Sequence, residues 1–368
     1  MIKVKHVISD KNIGGAGRLL LNLLANTDRK LFEPSVVLPY GSLLKPEIKK
    51  LGVKAVESGL GIFELFEIMR NERPNIVHTH AAATARIAAR LCGAVTVNTR
   101  HCADDRKSRT PIYKRTAVKC FDALFTDATI ATAEYVKDVL IDEGVPSKKI
   151  SVIINGSIQM EEFSSERKKE ARLDLGLSEG GFVVAIVARL EPGKGHETFI
   201  EAARICRDLT PDVTFLIVGC GSYENDLKTM AKGLGNLRFL GFTDDVTRIM
   251  NVSDANANCS YLSETSSLAL SEGMSVGAIP IVSDCGGNSF MADGCGIVFP
   301  KRDAAALADA LLYLSKNPEA KNLLSLNAKQ RFQNLFTAER MAQKTENLYF
   351  KLLKSASCID KAQKIWLN

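Results

Sequence analysis

Six short segments, near-continuously apolar or simply brief, mark the second half of the chain: VVAIVA, TFLIVG, LRFLGF, ANANCS, IPIVSD and GIVFP. Runs of this length, separated by longer stretches at helical spacing, read as strands covered on both faces. Strands that alternate with helices are joined by crossovers and build a parallel sheet. The first half repeats the alternation. Strands are expected at 4–9, 34–39, 53–57, 75–80, 94–99, 123–132 and 150–155, and helices at 15–25, 63–71, 82–92, 112–121 and 134–143. The chain is therefore expected to be α/β, with two doubly wound parallel-sheet domains.

At 368 residues the chain is long enough for two full cores. Residues 157–181 are polar and charged, and read as a linker with a short helix. The expected domains are 1–157 and 158–337. Three helical stretches, 304–315, 318–332 and 338–354, close the pattern. The last has apolar positions Met341, Leu348, Phe350, Leu352 and Leu353 that suit packing back on the first domain. Residues 355–368 show no clear pattern. No run of eighteen apolar residues is present, and the alternating start MIKVKHVISDK lacks the apolar stretch of a signal peptide, so a cytoplasmic location is expected. Nine scattered cysteines with no C-x-x-C pair fit free thiols better than zinc ligands or disulfides.

The ends of the apolar segments carry the chemistry. After VVAIVA come Arg189 and, five residues on in a Pro/Gly turn, Lys194. A guanidinium fork and an ammonium point charge at a strand's carboxyl end are a plausible phosphate clamp. TFLIVG runs into Gly219-Cys220-Gly221, by itself a weak phosphate-loop signal, and LRFLGF, ending in Phe242, enters the Gly241–Asp245 turn. The segment SETSSLALSEGMS then opens with N-cap candidates and carries Glu264 and Glu272 on either side of a helix start. Free backbone N–H groups and a positive helix end suit an anion such as a diphosphate, and two carboxylates beside it suit the hydroxyls of a sugar. Alone, that spacing fits a solvated helix with two surface glutamates better. Four such loops at successive strand ends are more specific, because ligands of open α/β sheets sit there.

Together with Gly14-Gly15-Ala16-Gly17-Arg18, His78-Thr79-His80, Asn98-Thr99-Arg100-His101 and Asn155-Gly156, these motifs make the chain, from Val4 to about Phe350, resemble a retaining glycosyltransferase of family four, the "group 1" transferases. That resemblance implies the GT-B fold, two Rossmann-like domains facing across a cleft. It implies that Arg189 and Lys194 bind the donor diphosphate, that Glu264 contacts the donor sugar, and that Glu272 holds the ribose. Gly15, Gly219, Gly221, Phe242, Ser266, Ser267 and Leu268 would complete the donor site. Arg18 and His80 would stand on the acceptor side, with His101 near the sugar being transferred. Two departures bear on the acceptor side: Cys102 stands where the family often has a second histidine, and Gln159 where it often has an acidic residue.

No Ser/His/Asp order, His-Glu-x-x-His or Asp-x-Asp pair occurs near these loops. A retaining transferase needs none of them, since the leaving diphosphate can take the acceptor's proton. No metal and no cofactor is expected, and the donor should be a nucleotide diphosphate sugar, UDP-linked. A nucleotide-sugar epimerase of the same architecture and a non-catalytic nucleotide-sugar binder remain as alternatives. A Rossmann dehydrogenase fits less well, because Glu224 stands where the third glycine would be.

The net charge of +6 is uneven: residues 1–157 hold 24 Lys/Arg against 16 Asp/Glu, the remainder 24 against 26. The excess is densest at Arg106-Lys107-Ser108-Arg109, Lys114-Arg115 and Lys119. No recognition helix or aromatic-basic interleaving points to nucleic acid. Basic residues mixed with Ile112, Tyr113, Val118, Phe121, Leu124 and Phe125 suit a peripheral contact with anionic membrane, a polyprenyl-linked glycan acceptor, or simply a solvated face with some core residues.

Overall fold

The computed structural model describes residues 1–101, 110–209, 212–262 and 264–366. Cys102, the basic cluster Arg106–Arg109 and Ser263 lie outside the described residues. The chain divides into two units, Met1–Gly156 with Ala338–Asn368, and Ser157–Thr337.

The first unit holds seven strands: β1 (Ile2–Ile8), β2 (Phe32–Pro39), β3 (Lys54–Ser58), β4 (Ile76–His80), β5 (Val95–Arg100), β6 (Ala128–Ala131) and β7 (Ile150–Val152). They form one parallel sheet in the order β3-β2-β1-β4-β5-β6-β7. The second unit holds β8 (Phe182–Val187), β9 (Val213–Val218), β10 (Leu237–Gly241), β11 (Ala255–Asn258), β12 (Ile279–Ser283) and β13 (Ile297–Phe299). Their order, β10-β9-β8-β11-β12-β13, repeats the same scheme. In each sheet the connections run outward from the first strand, then return to start again on its other side. The result is a topological switch point between β1 and β4, and another between β8 and β11.

Strand side chains alternate between faces, so each sheet feeds two cores. Val7, Val37 and Val77 pack on Leu65 and Met69 of helix Ile62–Glu72 and on Ala85 and Ala89 of helix Ala83–Leu91. Ile8, Val36 and Leu38 face Leu20 and Leu24 of helix Gly15–Asn26. In the second unit Val184, Ile186, Phe215 and Ile217 pack with Phe199 and Leu311, while Val183, Ala185, Leu216 and Val218 pack with Ile249. Each fully buried side chain of this size is worth about 2 kcal/mol of transfer free energy.

Several boundaries differ from the sequence reading for identifiable reasons. The strand expected at 123–132 is only β6, because helix Ile112–Phe125 runs four residues further than expected. Its last turn is held by Asp122, buried against Arg86 at 2.8 Å, and by Lys149, whose Nζ donates to the carbonyls of Asp122 and Thr126. A short helix, Leu44–Lys50, follows β2 and was not foreseen; Leu44 and Ile48, one turn apart, are its buried pair. The final helix does not stop near 354 but runs from Ala338 to Trp366. It packs on the first unit: Phe350 lies 5.2 Å from Phe32, and the Tyr349 hydroxyl is 2.6 Å from His78 Nδ1.

The alternating start of the chain would suggest a half-exposed strand. Instead β1 is central, and Val4 to Ile8 are all buried, Lys5 and His6 included. Lys5 meets Glu72 at 2.6 Å, and Glu72 also meets Lys54 at 3.2 Å. Burial lowers the Lys5 pKa despite the Glu72 carboxylate, so the pair is a compensated cost rather than a source of stability. Glu72→Ala, which strands the ammonium, should destabilise the protein by about 3 kcal/mol in urea unfolding, whereas Lys5→Met with Glu72→Leu should be nearly neutral. Equal losses in the two variants would contradict this view of the pair.

Candidate active site

The carboxyl ends of the central strands in the second unit are tied to one another by backbone hydrogen bonds. From the turn after β8, Leu190 N–H donates to Cys220 O, beyond β9, at 3.0 Å, and Leu190 O accepts from Tyr223 N–H at 3.0 Å. Across the switch point, Tyr261 N–H, beyond β11, donates to Gly193 O at 2.9 Å. These approaches leave no room for side chains. A β-carbon on Gly219, at φ +139°, would lie 2.0 Å from Ala188 O, and one on Gly195, at φ +75°, would lie 1.9 Å from Cys259 O. Both positions need glycine for space and for backbone conformation. Gly221 sits in the same zipped pair of loops.

At this switch point Lys194 meets Glu264. The ammonium lies 3.0 Å from Oε2, and the same oxygen accepts from Asn258 Nδ2 at 3.2 Å and Ser260 Oγ at 3.1 Å. Glu264 O in turn accepts from Gly287 N–H at 3.1 Å, so the loop after β12 steadies the loop after β11. Seventy positions apart in the chain, the two charges are brought together by the strand order alone. Arg189 is exposed and forms no ion pair among the described residues; Ser222 foremost, and Arg189 after it, hold the nearby Glu191 carboxyl below its usual pKa. An anion at this edge would therefore find one available guanidinium and one ammonium already held in place.

Helix Leu268–Ser275 starts here, with the Ser267 hydroxyl capping it by accepting from Leu270 N–H at 3.3 Å. Ser266 is buried, Leu268 is half-buried at the first turn, and Glu272 is half-buried one turn further on. Phe242, beyond β10 at the far side of this row, is 69% exposed. His196, next to Gly195, is fully buried; burial pushes its pKa down to about 4, so it is neutral at pH 7.

In the first unit Gly15 opens helix Gly15–Asn26 with free space above its α-carbon, and Arg18 is exposed one turn on. The other expected residues form part of a larger group. His6, on β1, lies beside His78 on β4 by strand register. His6 Nδ1 is 3.3 Å from His80 Nε2, and His80 Nδ1 is 2.9 Å from His101 Nε2. His78 stacks on His80 at 4.5 Å, and its own nitrogens are taken by Tyr349 and Thr99, each at 2.6 Å. Burial lowers all four: His6 to about 3, His101 to about 4, and His78 and His80 well below the usual imidazole value. His6, His78 and His80 are close enough together to hold a metal ion, but both His78 nitrogens are already committed.

The sequence reading named Lys194, Glu264, His80 and His101 but missed what fixes them. Asn258 and Ser260 carried a signal, since ANANCS is unusually polar for a buried strand end. His6 carried one too, because an alternating strand with a histidine toward its carboxyl end becomes the neighbour of the next one across the switch point.

Residues 13–157 match the family described as "Glycosyltransferase Family 4", and residues 167–331 match "Glycosyl transferases group 1". The chain is 32% identical over 320 residues, 82% of its length and 81% of the relative's, to the UDP-Gal:alpha-D-GlcNAc-diphosphoundecaprenol alpha-1,3-galactosyltransferase of Escherichia coli. It also resembles the putative glycosyltransferase EpsD of Bacillus subtilis, at 25% identity over 76% of this chain and 78% of that one. Among solved structures, Anabaena HepE in complex with UDP superposes with a TM-score of 0.83 over 95% of this chain and all of that one, at 19% identity. A glycosyltransferase from Rickettsia africae gives 0.82 over 96% and 99%, also at 19% identity. The two sheets are thus those of the GT-B fold, and the chain belongs to the group 1, family four glycosyltransferases.

Proposed function

We propose that this glycosyltransferase takes a sugar from a UDP-linked donor and passes it, with retention of anomeric configuration, to a lipid-linked or other glycan acceptor of the cell envelope. The observation that carries the reading is the Lys194–Glu264 pair at the switch point of the second sheet, with Arg189 beside it in the same turn. Arg189 and Lys194 hold the diphosphate and stabilise the charge that grows on it as the glycosidic bond breaks. Glu264, fixed by Asn258 and Ser260, accepts hydrogen bonds from hydroxyls of the donor sugar. Glu272 accepts from the ribose, and the base stacks near Phe242. The departing diphosphate oxygen takes the acceptor's proton on the same face of the sugar, so no protein base is required. Positioning and charge stabilisation are then the protein's contribution. His101, with His80 and Arg18, serves the transfer from the first unit.

UDP is favoured because the Escherichia coli relative is named for UDP-Gal and HepE was solved with UDP. That relative's acceptor is a diphosphoundecaprenol-linked sugar, and the O-antigen chain mannosyltransferase C of Escherichia coli is 32% identical over 45% of this chain. A membrane-borne acceptor asks for a surface that can approach lipid. Among the described residues no helix is long and apolar enough to cross a membrane. Helix Ile112–Phe125, however, buries only Asp122, and carries Ile112 at 82%, Tyr113 at 68% and Leu124 at 60% exposure with Lys114, Arg115 and Lys119. That composition suits peripheral contact with an anionic leaflet.

Arg189→Ala and Lys194→Ala should each lower kcat about a hundredfold, as the loss of a leaving-group charge contact does. Glu272→Ala should instead raise KM for the donor with a smaller effect on kcat. Near-normal turnover in the Arg189/Lys194 double variant would place the donor elsewhere. Because two cations already face the diphosphate, EDTA should leave turnover within about twofold, and strict dependence on magnesium or manganese would count against the clamp. In co-sedimentation with anionic vesicles, neutralising Arg106, Lys107, Arg109, Lys114 and Arg115 should release the protein to the supernatant; equal partitioning would favour a soluble acceptor.

A further inference from the structure

The second sheet has another concave site, at the edge opposite the Lys194–Glu264 pair. Gly181 directly precedes β8, Asp254 directly precedes β11, and Gly277 lies two residues before β12, so all three mark amino ends of strands. These strands are four to six residues long, which sets the two edges about 13–20 Å apart. Beside the amino ends lies a cavity of about 450 Å³, lined from helix Ser165–Asp174 and from helix Pro318–Arg331. Each helix fully buries a single alanine, Ala171 in one and Ala328 in the other. Toward the cavity the first gives Lys168, Lys169 and Arg172, and the second Lys321, Ser325 and Lys329, at the spacing of one helix face. All of the lining residues belong to Ser157–Thr337, so the cavity is complete within the second unit.

Five cations line this cavity against two carboxylates, Glu179 and Asp254. Four of the five are committed. Arg172 donates to Asp254 Oδ2 at 2.8 Å and to the carbonyls of Glu179 and Gly181, each at 3.0 Å, which pins its helix to the strand ends. Lys321 reaches the other Asp254 oxygen at 3.2 Å, Lys169 meets Glu179 at 2.5 Å, and Lys329 pairs with Glu162 just outside the lining. Lys168 differs. It is half-buried, yet among the described residues its ammonium makes no ion pair or hydrogen bond. Burial lowers its pKa, and Lys329 and Arg172 push the same way against Glu162 and Asp254. A half-buried ammonium beside like charges costs stability, and an anion placed next to it removes that cost.

We propose that this cavity binds a hydrophilic phosphate monoester, held by Lys168 and Lys329, at a site separate from the one that takes the donor diphosphate. The charges agree. With Glu162 counted, the five cations face three carboxylates, leaving +2, and a phosphate monoester carries about −1.5 to −2 at pH 7. The size agrees as well, since small-molecule sites run from roughly 300 to 1,000 Å³, and the cavity therefore takes more than a bare phosphate. Its lining sets the rest of the ligand. Of the fourteen lining residues only Val276 and Gly277 lack a polar side chain, so the group esterified to the phosphate is polar throughout, as a sugar is and an acyl chain is not. A free sugar phosphate and the phosphate of a lipid headgroup share this chemistry.

Calorimetric titration with inorganic phosphate and with glucose 6-phosphate, at constant ionic strength, tests the site. It is run on the full chain carrying Arg189→Ala and Lys194→Ala, so that the clamp proposed for the donor contributes nothing and the two readings fail independently. Each probe should bind once per chain, glucose 6-phosphate the tighter. Adding Lys168→Gln should weaken both about tenfold or more, the loss of one charge-assisted contact, while Lys168→Arg should keep them within about threefold. Lys168 has no partner to lose, so Lys168→Gln should fold; Lys329→Gln, with a similar loss expected, supplies a second measure. Co-sedimentation with phosphatidate vesicles separates the sources. A free ligand predicts equal pelleting of wild type and Lys168→Gln, and a lipid headgroup predicts pelleting that Lys168→Gln reduces. Failure of inorganic phosphate, glucose 6-phosphate and phosphatidate vesicles alike to bind, or binding unmoved in folded Lys168→Gln and Lys329→Gln, would overturn the site.

Discussion

The second unit is organised around one ion pair at the place where its sheet reverses direction. Lys194 leaves the first strand of that sheet and Glu264 the fourth, and they meet at 3.0 Å because β8 and β11 are neighbours. Everything nearby serves that meeting. Gly195 and Gly219 let backbones approach to distances that any side chain would forbid, and Asn258 and Ser260 share Glu264 with the lysine. An ammonium held this way is positioned before any ligand arrives. Under the proposed function, a diphosphate would share this ammonium with Glu264 and meet a charge already held in place, the condition under which electrostatic stabilisation of a leaving group is greatest.

The first unit uses the same topology for a different chemistry. Its switch point gathers neutral histidines, not charges, and its glycine loop opens a helix whose first exposed cation is Arg18. One sheet gathers a held ion pair at its switch point, and the other a row of hydrogen-bonded imidazoles. A transferase has use for both, since a donor must be anchored by its diphosphate while the hydroxyls of sugars must be told apart by orientation.

Most of the architecture was legible because doubly covered strands are apolar enough to stand out, and the loops at their carboxyl ends are where ligands of such sheets bind. Arg189, Lys194, Glu264 and Glu272 were singled out for that reason. What failed was local. Phe121 to Phe125 read as the start of a strand because their apolar character does not distinguish helix from strand, and it is the long-range contacts of Asp122 and Lys149 that keep the helix going. The burial of Lys5 and His6 was hidden because alternation suggests one wet face, and only the order of strands reveals that β1 is central. His6 and Asn258 were passed over because each meets a neighbour that a one-dimensional reading does not supply.

The central claim, that the switch point of the second sheet binds the diphosphate of a nucleotide sugar, is tested most directly by calorimetric titration of UDP, GDP and ADP into the wild type and the Lys194→Ala and Glu272→Ala variants. The account predicts one UDP site per chain, with affinity lowered about tenfold or more when either side chain is removed, the worth of a charge-assisted contact. Absence of binding for all three nucleotides, or UDP binding indifferent to both substitutions, would contradict it.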